Sequence, residues 1–216
     1  MNTVSAEADV AEIRLIDLAD ILLGYQTRGR IAPDLNGRYA IIRGQDCDDK
    51  ARVYPERAMR FSPSPGVDPE TYLLHAGDIL IQARGQSHLA YLVDTPLENT
   101  VASSTFYVLR TLAHAPLIPA YLAWWLNQPP AQAFFEREQG LSTVPFISKS
   151  TLEQTPVRLP SLEIQNRICA LVALWQRERE LYRLLLSEKE NLVHAAARAA
   201  VFKSLNPLET SWHKSN

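Results

Sequence analysis

The sequence predicts an α+β protein, a strand-rich mixed α/β domain followed by one long C-terminal α-helix. Between residues 39 and 110, short β-branched and aromatic runs are separated by Gly, Pro and Asp turns. Leu162 to about Phe202 contains neither Gly nor Pro. Apolar residues in that stretch recur at steps of mostly three, four or seven, the spacing of a coiled-coil seam.

The elements follow in order. Residues 1 to about 10 are polar. Ile13, Leu15, Ile16, Leu18, Ile21 and Leu22 form an apolar segment read as a helix, with Asp17 as its cap and Gly24 at its end. A polar, arginine-rich loop runs from Gln26 to Gly37. Strands are expected at Tyr39–Arg43, near Arg52–Tyr54 and near Met59–Phe61, and Ser62–Pro69 reads as a loop. His75-Ala76-Gly77-Asp78 is a turn feeding a strand at Ile79–Ala83. Gly85-Gln86-Ser87 turns the chain back into Leu89–Val93 as a hairpin, and Thr105–Arg110 is a further strand. Pro119–Leu126 begins a helix at a favourable proline position. Pro129-Pro130 breaks it, Ala131–Arg137 forms another, and Gly140 caps that one. Ser161 is the N-cap candidate of the long helix. At 1.5 Å per residue, forty-odd residues span about 60 Å. A helix so long, with an apolar stripe, needs a second long helix to cover it. The seam positions are Ile164, Ile168, Leu171, Trp175, Tyr182, Leu185 and Leu192, continuing through Ala196 and Ala199.

Composition excludes several classes. With 216 residues and 46% apolar content, the chain can bury a sizeable core. A net charge of −2 and pI near 6.2 give no overall basic signature, although one face of a neutral protein can still be basic. Cys47 and Cys169 lie far apart without Cys-x-x-Cys or Cys/His spacing, which argues against zinc and against a disulfide framework. The N-terminal residues carry acidic groups and no apolar core, unlike a signal peptide. No run approaches the ~20 apolar residues of a membrane span. The expectation is a soluble, cytoplasmic protein with no membrane association.

No catalytic constellation stands out. A Gly-rich strand-to-helix turn for a nucleotide or S-adenosylmethionine is missing. Asn127-Gln128-Pro129-Pro130 superficially resembles the N-P-P-aromatic motif of amino-methyltransferases, but Gln128 is inserted and Ala131 stands where an aromatic should stack; it reads as a helix stop and start. The five histidines are scattered, and Asp78 reads as a turn aspartate. No catalytic residue, metal ligand or cofactor is therefore expected.

Nucleic-acid chemistry is better represented. Arg28, Arg30 and Arg38 crowd one polar loop. Arg43-Gly44-Gln45 and Arg84-Gly85-Gln86-Ser87 repeat cation, glycine and amide at two expected strand ends. Arg can pair with guanine O6/N7 and Gln with adenine N6/N7. Glycine between them permits close backbone approach. Ser142, Thr143, Ser148 and Lys149 suit phosphate contacts. Ordinary turns and solvated surface arginines are the competing reading for each loop. Trp124-Trp125 and Phe134-Phe135 read as core rather than as stacking platforms.

The run Gly140–Ile168, GLSTVPFISKSTLEQTPVRLPSLEIQNRI, together with LIDLADILLG, HAGDILIQARG and PAYLAWWLNQPPAQAFF in that order, resembles the type I restriction–modification DNA-specificity subunit family. The resemblance spans most of the chain. It implies a target-recognition domain at 1–160, a spacer and dimerisation helix at 161–203, and a tail at 204–216. Full-length members resemble two such units in tandem, whereas this sequence contains one without an internal repeat. The form implied is a half-subunit whose two copies pair antiparallel through their helices as a homodimer. Implied partners are double-stranded DNA, a methyltransferase (modification) subunit, and a restriction/translocase subunit where one exists. Each domain would read one half of a bipartite target without catalysis of its own. The alternative is a coiled-coil assembly adaptor that does not bind DNA.

Overall fold

The structure, a computed structural model, describes residues 10–27, 29, 31–63, 66–85, 88–138 and 145–204, with Lys203 and Ser204 as backbone only. The expected opening helix is instead two strands, β1 (Ala11–Arg14) and β2 (Ala19–Leu23), joined by one 3₁₀ turn at Leu15–Asp17. From Ala19 to Leu22 burial alternates in, out, in, out, which is the two-residue period of a strand. Asp17 caps no α-helix and instead pairs with Arg14 at 3.1 Å. Gly24 ends β2 for a steric reason. A Cβ there would stand 2.2 Å from the Ser103 carbonyl oxygen, so only glycine allows the backbones to approach.

β3 (Tyr39–Ile42) lies at the centre of a three-stranded sheet. It pairs antiparallel with β4 (Met59–Phe61) and parallel with a strand not expected from the sequence, β7 (Thr100–Ala102). The strand expected near Arg52–Tyr54 reduces to a single bridge between Cys47 and Val53. β5 (Ile79–Gln82) and β6 (Ala90–Leu92) form the expected hairpin, with Ile79 opposite Leu92. With β8 (Phe106–Thr111) and β2 they build a four-stranded antiparallel sheet in the order β2-β8-β5-β6.

The cores explain why the β5 residues Ile79, Leu80 and Ile81 are all fully buried. Ile79, Ile81, Tyr107 and Leu109 face a cluster completed by helix residues such as Leu122, Leu126 and Phe135. Leu80, Phe106 and Val108 face the opposite way, into a cluster that also holds Ile42 and Ala102 of the second sheet. A third cluster, Tyr25, Tyr39, Ile41, Phe61 and Val101, backs that second sheet. The β5 strand is therefore covered on both faces, and its sequence is correspondingly apolar from Ile79 to Ile81 before Gln82 ends it.

α1 (Pro119–Leu126) has the expected bounds, and α2 (Pro129–Glu138) starts on the proline pair rather than after it. Its first residues need no N–H donors, which suits proline. Gly140, the expected cap, lies outside the described residues. A short α3 (Lys149–Glu153) precedes β9 (Pro156–Leu159), which pairs antiparallel with β1. α4 (Leu162–Ser204) is a 43-residue helix. The chain divides into two compact units, Met1–Cys169 and Ala170–Asn216. The first unit thus takes in the opening turns of α4. Gln165 there is fully buried, and Ile168 and Cys169 pack on the first core cluster. Among the described residues no helix is long and apolar enough to cross a membrane.

Candidate nucleic-acid interface

The described residues that flank the segments at Gln26, Arg43, Arg84 and Ser148 are tied together by main-chain bonds. The organising point is Ser103, at the turn from β7 into β8. Its amide donates to the Ile42 carbonyl at 2.8 Å, where the Arg43 segment begins. It bridges Tyr25 in parallel fashion, where the arginine loop begins. Two residues on, the Thr105 carbonyl accepts from the Ala83 amide at 2.9 Å, and the Ala83 carbonyl accepts from Ile147 at 2.9 Å. The ends of β2, β3, β5 and β7 and the segment before α3 are thereby tied together by main-chain bonds. Gly44 also lies beside β5, since a Cβ on it would be 3.8 Å from Gln82 Nε2. Gln82 Nε2 in turn donates to the Arg84 carbonyl at 2.9 Å. Gly44 and Arg84, one from each Arg-Gly-Gln segment, both lie beside Gln82.

Their arginines differ in environment. Arg43 donates through Nε and Nη2 to the buried Asp46 carboxylate, at 3.2 and 3.4 Å, and through Nη1 to Met59 Sδ. The Arg43 main-chain amide also donates to Asp46, at 2.8 Å. Arg43 therefore stabilises a buried carboxylate and a 3₁₀ turn, a structural duty its sequence context did not reveal. Gln45, in that same turn, is exposed. Arg38, from the arginine loop, is ion-paired with Glu70 at 3.1 Å. Arg84 is exposed, and its guanidinium lies over the Phe146 ring, 5.4 Å from the centroid. Among the described residues no carboxylate pairs with Arg84 or with the exposed Lys149. Burial pushes the Tyr107 hydroxyl up in pKa, while the Lys149 main-chain amide and the charge of Arg84 pull it the other way. Tyr107 thus sits beside the Lys149 main chain and within reach of the Arg84 charge. Arg28, Arg30, Gln86, Ser87, Ser142 and Thr143 lie outside the described residues.

Ser148 caps α3, its hydroxyl accepting from the Thr151 amide at 3.0 Å. Asp78 is a turn aspartate with a further task. Buried in the turn, it accepts from the His75 amide at 2.8 Å and from Arg110 Nε and Nη2 at 2.8 and 2.7 Å. The Asn127 side chain binds both main-chain groups of Ala90, at 2.9 and 2.7 Å, so the Asn-Gln-Pro-Pro stretch fastens α1 to β6. Buried His88 donates from Nδ1 to the Gln82 carbonyl at 2.8 Å, because a carbonyl can only accept. Its Nε2 has no partner among the described residues. A surface cavity of about 490 Å³ is lined by Glu12, Arg14, Phe134, Arg137 and Gln154 among others and touches none of the candidate DNA residues. Among the described residues no group of three or more His, Cys, Asp or Glu side chains could hold a metal ion.

Past Cys169, α4 presents Leu171, Trp175, Tyr182, Leu185 and Leu192 to solvent, with Leu171 and Leu192 68% and 69% exposed. Of the two earlier seam positions, Ile164 is exposed, whereas Ile168 is partly covered by the domain's own core.

A four-stranded sheet sharing a core with a three-stranded one, helices on its other face, the β1–β9 pair and one very long helix define a specific class of fold: that of an S-subunit domain from type I restriction–modification systems. An S subunit from M. genitalium matches with a TM-score of 0.56 at 15% identity, over 83% of this chain and 42% of that one. A chain from a structure of complex assembly and conformational transition in a type I system matches at 0.64 and 19% identity, over 95% and 48%. The HsdS subunit from Thermoanaerobacter tengcongensis matches at 0.54 and 20% identity, over 82% and 40%. The chain spans less than half the length of each. No family model matches the sequence, and no curated protein does.

Proposed function

We propose that this protein is a non-catalytic DNA-specificity subunit of a type I restriction–modification system, reading one half of a bipartite target for a methyltransferase subunit. The observation that carries this reading is the fold, which is that of an S-subunit domain over as much as 95% of the chain. The gathered loops agree with it, since exposed Gln45, Arg84 and Lys149 lie on segments tied together by main-chain bonds. Phosphate contacts would hold the domain in register, and base-edge contacts from the Arg and Gln positions would select sequence.

The long helix supplies the second half of the proposal. Its exposed stripe would pair antiparallel with the helix of a second copy, forming a homodimer. The helix length would then set the spacing between half-sites, as dimer geometry does in other DNA readers. A twofold axis predicts a palindromic bipartite target.

The test is a DNA-binding titration of the complex with its methyltransferase subunit at several salt concentrations. Affinity should fall linearly with log salt on a log scale, and methylated sites mapped in cells expressing the pair should form a split palindrome. A complex that assembles yet shifts no DNA at any salt would support the adaptor reading instead.

A further inference from the structure

Phe146 is a large aromatic left 38% exposed beside the gathered loops. Its main-chain position explains what it does there. Arg84 and Phe146 form an antiparallel bridge, closed by the Ile147 amide on the Ala83 carbonyl at 2.9 Å and the Gly85 amide on the Pro145 carbonyl at 3.2 Å. Directly opposed residues of an antiparallel pair project from the same face. The neighbouring pair, Ala83 and Ile147, is buried, so Arg84 and Phe146 face outward together. Gly85 then leaves at φ +136°, a conformation side-chain-bearing residues rarely adopt, which fixes where the strand ends.

A guanidinium held against an aromatic ring by cation–π attraction can keep an N–H edge free for other partners. That edge is the part of arginine that forms paired bonds with guanine or phosphate. Arg43, by contrast, already spends its guanidinium on Asp46 and Met59. Resting on the DNA-reading proposal above, we infer that Arg84 is a specificity-determining contact and that Phe146 is the positioning residue that holds its guanidinium for DNA, while Arg43 serves the fold.

The experiment uses the full complex with the methyltransferase subunit. The probe is a duplex carrying the sequence found methylated when the complex is expressed in a methylation-free bacterial host, with a scrambled duplex as reference. Arg84→Ala should lower the ratio of cognate to scrambled affinity about tenfold, the scale of one paired base interaction. Phe146→Ala should lower it by a similar factor without changing the salt slope, because no charge is removed. Phe146→Tyr should restore it. Phe146→Ala should add nothing further in an Arg84→Ala background, because the ring acts through the arginine. Thermal unfolding of each variant separates loss of fold from loss of reading. If Arg84→Ala and Phe146→Ala leave the ratio unchanged while the wild-type complex still discriminates, the inference is overturned and DNA reading stands. Additive losses, or failure of Phe146→Tyr to restore the ratio, overturn the positioning role. If the wild-type complex does not discriminate between the duplexes at all, the DNA-reading proposal itself fails.

Discussion

The main-chain amide of Ile118 donates to Gln165 Oε1 at 2.9 Å, so a side chain from the first turns of α4 completes the entry into α1. The Gln165 amide nitrogen donates to the Pro116 and Pro160 carbonyls, both at 2.9 Å. One fully buried carboxamide thus satisfies groups on both sides of the joint between domain and helix. Gln165→Ala should strand a buried amide and two carbonyls and cost about 2–3 kcal/mol by denaturant titration. Gln165→Glu should be no milder, because an ionised carboxylate cannot donate to those carbonyls. A cost under about 0.5 kcal/mol for both variants would show that the joint does not depend on this residue.

Asp78 and Arg110 form a second internal clamp, with the carboxylate buried and the guanidinium about one-third exposed. Removing the cation leaves a buried charge unpaired, whereas removing the carboxylate leaves an arginine that water can reach. Arg110→Ala should therefore destabilise more than Asp78→Ala. The order of the two midpoints in urea tests it, and the reverse order would mean that the His75 amide bond outweighs the ion pair.

Burial pushes the Cys47 thiol from its ordinary 9.0 up to about 12, with Asp46 and Asp48 adding to the rise. Between those values the native state retains a proton that the unfolded chain has lost. Stability therefore contains a contribution that is complete below pH 9 and declines as pH rises towards 12. Cys47→Ser should remove that part of the alkaline slope in a series of denaturation curves. At pH 8 a thiol reagent should modify Cys47 slowly in the folded protein and rapidly in denaturant, since the thiolate is the reactive form.

Elements held by local chemistry were legible in the sequence. The β5–β6 hairpin and α1 depend on nearby turn residues and a proline start, and both appear as expected. β1 and β2 resemble a helix in sequence because their partners, β9 and β8, lie far along the chain, and apolar density alone does not set a period. The same limit applies at the candidate interface. Arg43 and Arg84 occupy similar motifs, yet only tertiary structure gives Asp46 to one and Phe146 to the other. Phe146 carried a signal, an aromatic set between proline and polar residues, but its meaning depends on the opposing strand.

Lys149 and Arg43 should separate electrostatic from structural roles. Lys149 is exposed and unpaired with any described carboxylate, so Lys149→Ala should weaken DNA binding equally for all sequences. The slope of log affinity against log salt should become shallower by about 0.9, the share of a single phosphate. Arg43→Ala should instead lower the unfolding midpoint, because Asp46 would be left buried without its cation. An unchanged salt slope in Lys149→Ala would remove that residue from the interface.

The stripe on α4 makes the oligomer prediction specific to residues. Leu171, Trp175, Tyr182, Leu185 and Leu192 follow one another at steps of four, seven, three and seven, so they share one face of the helix, and each is exposed in the single chain. A polar head forced into that seam would have to lose its hydration without a partner. Leu185→Lys with Leu192→Lys should therefore shift sedimentation from about twice the 24.3 kDa chain mass to the chain mass itself. Exchanging Glu190 and Asn191 for alanine, between those leucines but off the seam, should leave the dimer intact. The Cys47 and Asp78 regions belong to the other compact unit, so the domain's urea transition should survive the leucine changes. A wild-type chain that sediments as a monomer at high micromolar concentration, with α4 still helical by circular dichroism, would end the homodimer proposal. The S-subunit fold would stand unaffected.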